Sequence, residues 1–355
     1  MTAKQPSLAT RVIELVENAR RNVAAVANVA QVYTNYEIGR QIIEEEQGGK
    51  HRADYGKRIL IDLSNKLTAR FGRGWSAENL RKMRSFFLMY SEIHNSVVEI
   101  DDAEIHNSVA EIPKFSLSWS HYLKLMRIDD PDERRFYEIE AAENKWSLKE
   151  LQRQFDSALY QRLALSKDKD KVRDLAKRGQ VIEKPEDLVK DPYILEFLGL
   201  PEQAAYTESE LEQQIIDHLR DFLLELGKGF AFIGRQVRMT FNEHHFWIDL
   251  VFYNRLLRCF VLLDLKIGEL KHQDIGQMQM YVNHYDRKVK LPDENKTIGI
   301  LLCADKDDAI VEMTLPEGDR QIFASKYRTI LPSKAQLKAL IKANGNPSPA
   351  QEQTP

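Results

Sequence analysis

The chain has 355 residues, of which 43% are hydrophobic and 30% charged, and its formal net charge is −3. This length is sufficient for two or three packed domains, and the nearly balanced charge excludes a protein that is basic throughout. No apolar stretch reaches the length of a membrane span, and we expect no secretory signal because the first residues lack its apolar core.

The first half of the chain has the hydrophobic spacing of helices, and one part of it is strongly basic. Residues 51–90 contain nine Lys or Arg and three Asp or Glu. Two runs of apolar residues at helical spacing flank a glycine-containing turn at 72–76, which is compatible with a DNA-binding helix-turn-helix. An ordinary helical bundle with solvated basic faces is an equally good interpretation. The residues that would contact phosphates or base edges are Arg73, Asn79, Arg81, Lys82 and Arg84.

An acidic stretch and further helical patterns follow the basic segment. Residues 91–112 contain six acidic residues, no basic residue and a short internal duplication, to which we assign no chemistry. The helical patterns continue to about residue 165, and dense charge after Lys167 then indicates a boundary. We therefore expect a helical N-terminal domain over 1–165 and a charged linker over 166–204.

The second half of the chain is predicted to alternate between helices and strands. Thr207 and Glu210 have the spacing of a capping box that opens a helix, and segments rich in β-branched and aromatic residues predict the strands. The order αβββαβ, with a helical crossover before its last strand, predicts a mixed sheet in a domain over 205–343. The predicted elements are a helix at 207–226, strands at 232–241, 246–253 and 259–267, a helix at 272–285, strands at 297–303 and 321–327, a helix at 334–343 and a disordered tail over 344–355.

Two aspartates interrupt the most apolar strands of this domain. If the hairpin is centred between Leu256 and Leu257, Asp249 and Asp264 lie opposite each other. Opposed carboxylates in apolar surroundings require a compensating cation or strongly shifted pKa values. Lys266 supplies one charge on the same face of the strand, and a divalent ion such as magnesium suits carboxylate oxygens. Although an Asp-x-Lys triplet is usually a solvated surface pair, its apolar context favours a metal site.

This combination of residues suits phosphodiester hydrolysis. The two aspartates and the backbone carbonyl of Leu265 would hold the metal, and Lys266 would orient the attacking water or help to deprotonate it. Here the chain resembles the PD-(D/E)XK nuclease superfamily, because Ile248-Asp249 stands for its Pro-Asp and Asp264-Leu265-Lys266 for its (D/E)-x-K.

Two further parts of the pattern extend this resemblance. Gln277 and Tyr281 share one helix face and resemble the Q-x-x-x-Y motif of RecB-type nucleases, which implies that Gln277 is catalytic and that Tyr281 lies near nucleic acid. Packing of Tyr281 on the sheet is the alternative. Glu212, at the border of the apolar face of the preceding helix, is a further candidate metal ligand, as the superfamily sometimes has an acidic residue there. Gln236 is a weaker candidate.

Over nearly its whole length the chain is similar to the YhcG family of predicted bacterial nucleases. The resemblance implies a helical N-terminal half and a C-terminal restriction-endonuclease-like αβββαβ core with a mixed sheet. Asp264 stands where that pattern usually has glutamate. The motifs that carry the resemblance lie at 36–40, 55–56, 63–64, 71–80, 118–122, 225–236, 248–253, 263–268 and 276–278.

The sequence therefore favours a nuclease that uses magnesium or manganese and acts on nucleic acid, with DNA preferred by analogy. A non-cleaving nucleic-acid-binding scaffold in a defence or repair assembly is the alternative, and a helical interaction protein without nucleic-acid affinity is a third class. Protein partners and a homo-oligomer are compatible with these patterns. Cys259 and Cys303 both fall in predicted buried strands, which fits a reducing cytoplasm.

Overall fold

The structure of the protein is a computed structural model. The residues that it describes are 8–48, 53–97, 114–165, 169–201, 206–316 and 318–331. The predicted terminal helix and tail, and residues 98–112 of the acidic duplication, lie outside these ranges. Among the described residues, no helix combines the length and the apolar character needed to cross a bilayer. The chain divides into two compact units, residues 1–151 and 152–355.

The first unit is helical. A glycine in the first helix lets the third approach closely, since a Cβ atom on Gly39 would overlap the backbone carbonyl of Met83. Met83 and Leu80 are buried with Ile42 and Leu60, so one core holds the first three helices together. The helices that begin in this unit are α1 (Leu8–Gly48), α2 (Ala53–Phe71), α3 (Ala77–Val97), α4 (Trp119–Leu125), α5 (Pro131–Glu143) and α6 (Leu148–Asp156).

The second unit is built on one mixed sheet with the strand order β1-β6-β5-β4-β3-β2. The neighbours in β2-β3-β4 are antiparallel, and those in β4-β5-β6-β1 are parallel. The strands are β1 (Tyr193–Ile194), β2 (Phe230–Phe241), β3 (His244–Asn254), β4 (Cys259–Glu269), β5 (Ile298–Asp305) and β6 (Ile322–Arg328). Its helices are α7 (Leu159–Leu165), α8 (Lys169–Arg178), α9 (Glu208–Asp217), α10 (Leu219–Leu226), α11 (His272–His284) and α12 (Asp308–Thr314).

Helices cover both faces of this sheet. Residues of α9 and α10 pack on one face in a core that includes Phe222 and Phe252, whereas α11 packs on the other face. The contact of α11 with β5 is close, because a Cβ atom on Gly299 would lie 2.6 Å from the sulfur of Met278. The predicted αβββαβ order is confirmed, and α11 forms the crossover between the parallel strands β4 and β5.

The helix predicted over 207–226 is capped as expected but is interrupted. The Thr207 hydroxyl accepts a hydrogen bond of 3.2 Å from the N–H of Glu210, whose carboxylate accepts one of 2.7 Å from the N–H of Thr207. The backbone departs from helical geometry at His218, which ends α9 and precedes α10. The N-terminus of α9 is therefore fixed by two reciprocal hydrogen bonds.

The hairpin of β3 and β4 has the predicted register. Asn254 pairs with Cys259 and Leu250 with Leu263. The side chain of Asn254 shapes the turn, because its oxygen accepts hydrogen bonds of 3.0 and 3.1 Å from the N–H groups of Leu256 and Leu257. Such local bonds are typical of asparagine in turns. The described ladder ends at Leu250–Leu263, one step before Asp249 and Asp264.

The second compact unit begins at residue 152, and the domain bounds expected from the sequence, 1–165, 166–204 and 205–343, stay predictions. Arg162, on α7, is fully buried and donates a hydrogen bond of 2.5 Å to Glu225 on α10. Further along, β1 pairs with β6, so part of the expected linker contributes a strand to the sheet. These contacts attach α7 and the segment after it to the sheet unit.

Candidate active site

Asp249 lies where β3 and β4 stop pairing. Its Oδ2 accepts a hydrogen bond of 2.8 Å from the backbone N–H of Leu265, so a side-chain oxygen satisfies a donor just beyond the end of the ladder. The expected proximity of Asp249 and Asp264 is present, since Asp249 is one of the groups that shift the pKa of Asp264. The strand ends thus bring both carboxylates to one place.

Asp264 is buried and faces a lysine. Its Oδ2 lies 2.8 Å from Nζ of Lys266, and its side chain is 4% exposed. Burial and the negative charge of Asp249 raise the pKa of Asp264 to about 7, although Lys266 acts in the opposite direction. Two acids and one cation are therefore electrostatically coupled in a poorly solvated site.

Lys266 is held as a cation. Burial lowers the pKa of Lys266, but the adjacent Asp264 and, further away, Glu208 more than compensate, so that its pKa is raised overall. Nζ lies 3.9 Å from Glu208. A lysine with a raised pKa is a poor general base at neutral pH, so of the two roles that we expected, orientation and charge stabilisation fit this geometry better than deprotonation.

Gln236 connects the acidic residues of two elements. Its amide nitrogen donates a hydrogen bond of 2.9 Å to Oδ1 of Asp249 and another to the carboxylate of Glu212 on α9. The backbone of Gln236 has a φ of 45°, within an extended strand. A residue without glycine's freedom seldom adopts this conformation, and such strain often occurs at functional sites. In the sequence, Gln236 is marked only as a polar residue inside a strand motif, and a functional role for it stays a prediction.

The structure brings Glu212 to the same site. Burial raises the pKa of Glu212, an effect that the Gln236 hydrogen bond opposes and the charge of Asp249 reinforces. Oε1 of Glu212 and Oδ2 of Asp264 are buried, and each faces a cation, Arg235 at 3.3 Å and Lys266 at 2.8 Å. Buried carboxylate oxygens of this kind are suitable ligands for a hard divalent cation.

No group of three or more His, Cys, Asp or Glu side chains within the described ranges is arranged to hold a metal ion. Glu212 is linked to Asp249 through the amide of Gln236. Magnesium needs only one or two carboxylates, because waters and phosphate oxygens complete its shell. The donor set thus fits magnesium or manganese through Asp249 and Asp264, and ligation by Glu212 or the Leu265 carbonyl stays a prediction.

Gln277 and Tyr281 adjoin this site from α11. Nε2 of Gln277 donates a hydrogen bond of 2.5 Å to the Tyr281 hydroxyl, which in turn donates one of 2.9 Å to the backbone carbonyl of Trp247. Tyr281 is fully buried, and burial together with the charge of Asp264 raises its pKa to about 12. Its surface is not accessible to nucleic acid in this structure, so we correct that expected role: Tyr281 packs on the sheet and positions Gln277.

The basic residues expected to bind nucleic acid lie on α3 and the turn before it, in the first unit. Arg81 and Lys82 lie 3.2 and 3.6 Å from the carboxylate of Glu78, and Arg84 lies 2.7 Å from Glu46. The side-chain amide of Asn79 donates to the carbonyl of Gly74 at 2.8 Å. Arg73 is exposed in the turn. These local partners suit a bundle helix, and binding of nucleic acid here stays a prediction.

Comparison with known proteins gives matches in both halves of the chain. Residues 186–342 match the family described as "YhcG PDDEXK nuclease domain", and residues 11–162 match the "DUF1016 N-terminal domain". The chain is 37% identical over 352 residues to the protein named "Putative nuclease YhcG" of Escherichia coli (strain K12), with 95% of this chain and 93% of that protein covered.

Two solved structures are similar to part of the chain. They are titled "crystal structure of a repair endonuclease from Pyrococcus abyssi" and "Structure of EndoMS in apo form". Each has 18% sequence identity and a TM-score of 0.24, and the similarity covers 38% and 36% of this chain. It extends over 50% and 48% of the other chains, so this chain spans about half the length of each.

Proposed function

Since this chain belongs to the YhcG family, whose second domain is of the PDDEXK nuclease type, we propose that it hydrolyses phosphodiester bonds of DNA with a divalent metal. The observation that carries the proposal is the cluster formed by Asp249, Asp264 and Lys266 at the point where β3 and β4 separate. The burial of Asp264, which raises its pKa, supports a further cation in this cluster, because burial disfavours the ionised carboxylate.

We assign the metal to Asp249 and Asp264, with Glu212 and the carbonyl of Leu265 as further candidates. When bound, magnesium or manganese would polarise the phosphoryl group and make a water more acidic. The burial of Asp264 and its closeness to Asp249 support this assignment.

The remaining residues of the site stabilise negative charge or hold other side chains in position. The Lys266 ammonium, held 2.8 Å from Asp264, stabilises negative charge that develops on the phosphate or the nucleophile. Gln236 fixes Asp249 relative to Glu212. Gln277, oriented by the buried hydroxyl of Tyr281, contacts a substrate phosphate in this proposal.

We further propose that the helical unit binds DNA or a protein partner, in a defence or repair assembly, and that two copies of the chain can associate. The two free cysteines, Cys259 and Cys303, are buried, which supports a reducing cytoplasm as the place of action. In this proposal the N-terminal domain binds DNA or a partner, and the nuclease domain cleaves the DNA.

A cleavage assay tests this function. Single-stranded, duplex and branched DNA and RNA are incubated with the wild type and with Lys266→Ala, in magnesium, in manganese and in chelator. Lys326→Ala, a lysine that pairs with Asp305 at 2.6 Å, is the matched control. We expect cleavage of DNA that needs the metal, is lost in Lys266→Ala and persists in the control.

The opposite outcomes are equally informative. Cleavage of RNA alone overturns the assignment of DNA as substrate. Binding of nucleic acid without cleavage under any condition supports the non-cleaving scaffold instead. Absence of both binding and cleavage favours a protein that acts only through interactions with other proteins.

A further inference from the structure

A cavity lies beside the proposed active site, at the tip of the hairpin of β2 and β3. Its volume is about 630 Å³, within the range of ligand pockets. The hairpin tip forms one wall, and α11 from Gly276 onwards with the turn that follows forms the other. Phe246, Gly276 and Met280 line the cavity and directly precede Trp247, Gln277 and Tyr281 in the chain, so the cavity adjoins the part of the site that α11 supplies.

The chemistry of the walls suits a nucleobase and its phosphate. Phe241 and Phe246 offer two rings with centroids 6.2 Å apart, and Phe241 retains about a third of its exposed surface. Bases stack on such rings irrespective of sequence. Gln279 and Asn283 supply amides that can hydrogen-bond to a base edge, and Arg287 and Lys288 supply positive charge. Among the described lining residues there is no carboxylate.

One polar atom in this wall lacks a partner. Nδ1 of His284 is buried and has no hydrogen bond within the described part of the chain, and its ring lies edge-on to Phe241 with centroids 5.2 Å apart. Buried polar nitrogens are normally satisfied. A base that stacks on Phe241 would be adjacent to the ring of His284.

The distance between the cavity and the proposed catalytic centre also matches the spacing of a few nucleotides along one DNA strand. Phe246 precedes Asp249 by three residues on β3, which is roughly 10 Å at the usual rise of a strand. A nucleotide advances about 3.4 Å along stacked DNA and further when unstacked. The cavity therefore lies roughly one to three nucleotides from the phosphate at Asp249.

We propose that this cavity is a nucleobase-binding subsite that receives an unpaired base of a single-stranded DNA segment close to the phosphate to be cleaved. The inference rests on the proposed nuclease function and makes it more specific, since a duplex with all its bases paired cannot fill the cavity. The basic residues at its rim hold the adjacent phosphates.

Binding to short oligothymidylates that carry one 2-aminopurine tests the subsite. The full chain is used in chelator, so that binding is measured without cleavage, and quenching of the fluorescent base reports stacking. We expect quenching with the wild type and about tenfold weaker binding with Phe241→Ala. Ile233→Ala, another exposed apolar residue of β2 that lies outside the cavity, is the matched control and should bind as the wild type does.

A second variant avoids dependence on an aromatic residue that contributes to folding. Arg287 is exposed. Arg287→Ala should weaken binding, and the slope of log affinity against log salt concentration should become shallower by about the contribution of one phosphate contact. Arg320→Ala, a 77% exposed arginine away from the cavity, should leave both unchanged. Circular dichroism and thermal unfolding confirm that the variants are folded.

The results separate this subsite from the nuclease proposal. Quenching that requires Phe241, combined with no cleavage when metal is restored, supports the subsite and overturns the nuclease function. Metal-dependent cleavage combined with equal binding by wild type, Phe241→Ala and Arg287→Ala overturns the subsite and leaves the nuclease function standing. Failure of the wild type to bind a single strand also overturns the subsite.

Discussion

The carboxylate of Asp249 accepts a hydrogen bond of 2.8 Å from the backbone N–H of Leu265, the residue that directly follows Asp264 in β4. One proposed metal ligand therefore fixes the backbone that carries the other. Because this donor lies where the β3–β4 ladder has ended, Asp249 has a structural role in addition to its charge.

We expect two substitutions at Asp249 to separate these roles. Asp249→Asn keeps an oxygen that can accept the Leu265 bond but removes the charge and sets an NH2 group against the Gln236 amide, so cleavage should fall at least about a hundredfold and stability should fall less than in Asp249→Ala. Asp249→Ala also leaves the N–H of Leu265 unpaired, at a cost of about 1–3 kcal/mol. Cleavage rates and urea denaturation measure both effects. Asp293→Asn, at an exposed aspartate, is the control. An active Asp249→Asn would contradict the ligand assignment.

Asp264 should make the stability of the metal-free protein depend on pH. Its pKa in the folded state is about 7, above the usual value for aspartate of 3.8, so the folded state keeps a proton that the unfolded chain has released. Between about pH 4 and 7 this group lowers the free energy of unfolding as pH rises, by at most about 1.4 kcal/mol per unit. Asp264→Asn should flatten that slope.

The measurement is urea denaturation in chelator from about pH 5 to 8. Asp264→Asn should be more stable than the wild type at about pH 8, because it carries no buried negative charge, and it should lose cleavage. Asp293→Asn should keep the wild-type slope. Identical slopes for the wild type and Asp264→Asn would show that Asp264 titrates normally in the folded protein.

Substitutions of Gln236 should separate backbone strain from side-chain function. Glycine adopts a φ of 45° without penalty, whereas alanine does not, so Gln236→Gly should be more stable than Gln236→Ala by about 1 kcal/mol. Both lose the hydrogen bonds to Asp249 and Glu212, and we expect cleavage to fall about 10- to 100-fold in both. Full activity in either variant would exclude a positioning role for the amide.

The ion pair of Arg162 and Glu225 should be essential for the stability of the sheet unit. Both side chains are fully buried. Although burial alone would raise it, the pKa of Glu225 is lowered to about 2 by Arg162, Lys190 and Arg153. A lowered pKa contributes stability above about pH 4.5 that is lost as the pH falls towards 2.

Glu225→Ala leaves the guanidinium of Arg162 buried without its carboxylate. The expected cost is about 3–5 kcal/mol at neutral pH, and the remaining protein should be less sensitive to acid than the wild type. Chemical denaturation of Glu225→Ala is compared with that of Glu183→Ala, an exposed glutamate whose loss should have little effect. A cost below about 1 kcal/mol would mean that the buried pair is not needed.

Substitutions on the basic face of α3 should have opposite effects on DNA binding, depending on the charge that they remove. If it contacts DNA, replacing both Arg81 and Arg84 by alanine should weaken binding and reduce the salt slope by up to about two phosphate contacts. Glu78 neutralises Arg81 and Lys82, so Glu78→Ala should strengthen binding if those cations reach phosphates. Titration at several salt concentrations measures both. Unchanged affinity in both variants would assign α3 to a bundle that does not bind DNA.

Local signals explain what could be predicted from the sequence. The turn between β3 and β4 is shaped by the side chain of Asn254 itself, so the register, and with it the proximity of Asp249 and Asp264, could be derived from a few neighbouring residues. The capping box at Thr207 is local for the same reason.

Contacts between distant residues explain what could not be predicted. The role of Gln236 depends on a left-handed backbone conformation and on a glutamate 24 residues earlier. The ion pair of Arg162 and Glu225 joins residues 63 positions apart. Neither contact has a signature in composition or periodicity. The motif that contains Tyr281 suggested contact with nucleic acid, whereas in the structure Tyr281 is buried against the sheet.

The irregular backbone of β2 also affects how the protein behaves at high concentration. This strand forms one edge of the sheet, where a regular row of unpaired N–H and C=O groups could recruit a strand from another molecule. The pairing register shifts between Phe232 and Gly234, and Gln236 leaves the extended conformation shortly afterwards. The distortion that directs an amide towards two carboxylates also breaks the continuity of this edge, a feature that disfavours pairing with a strand of another molecule.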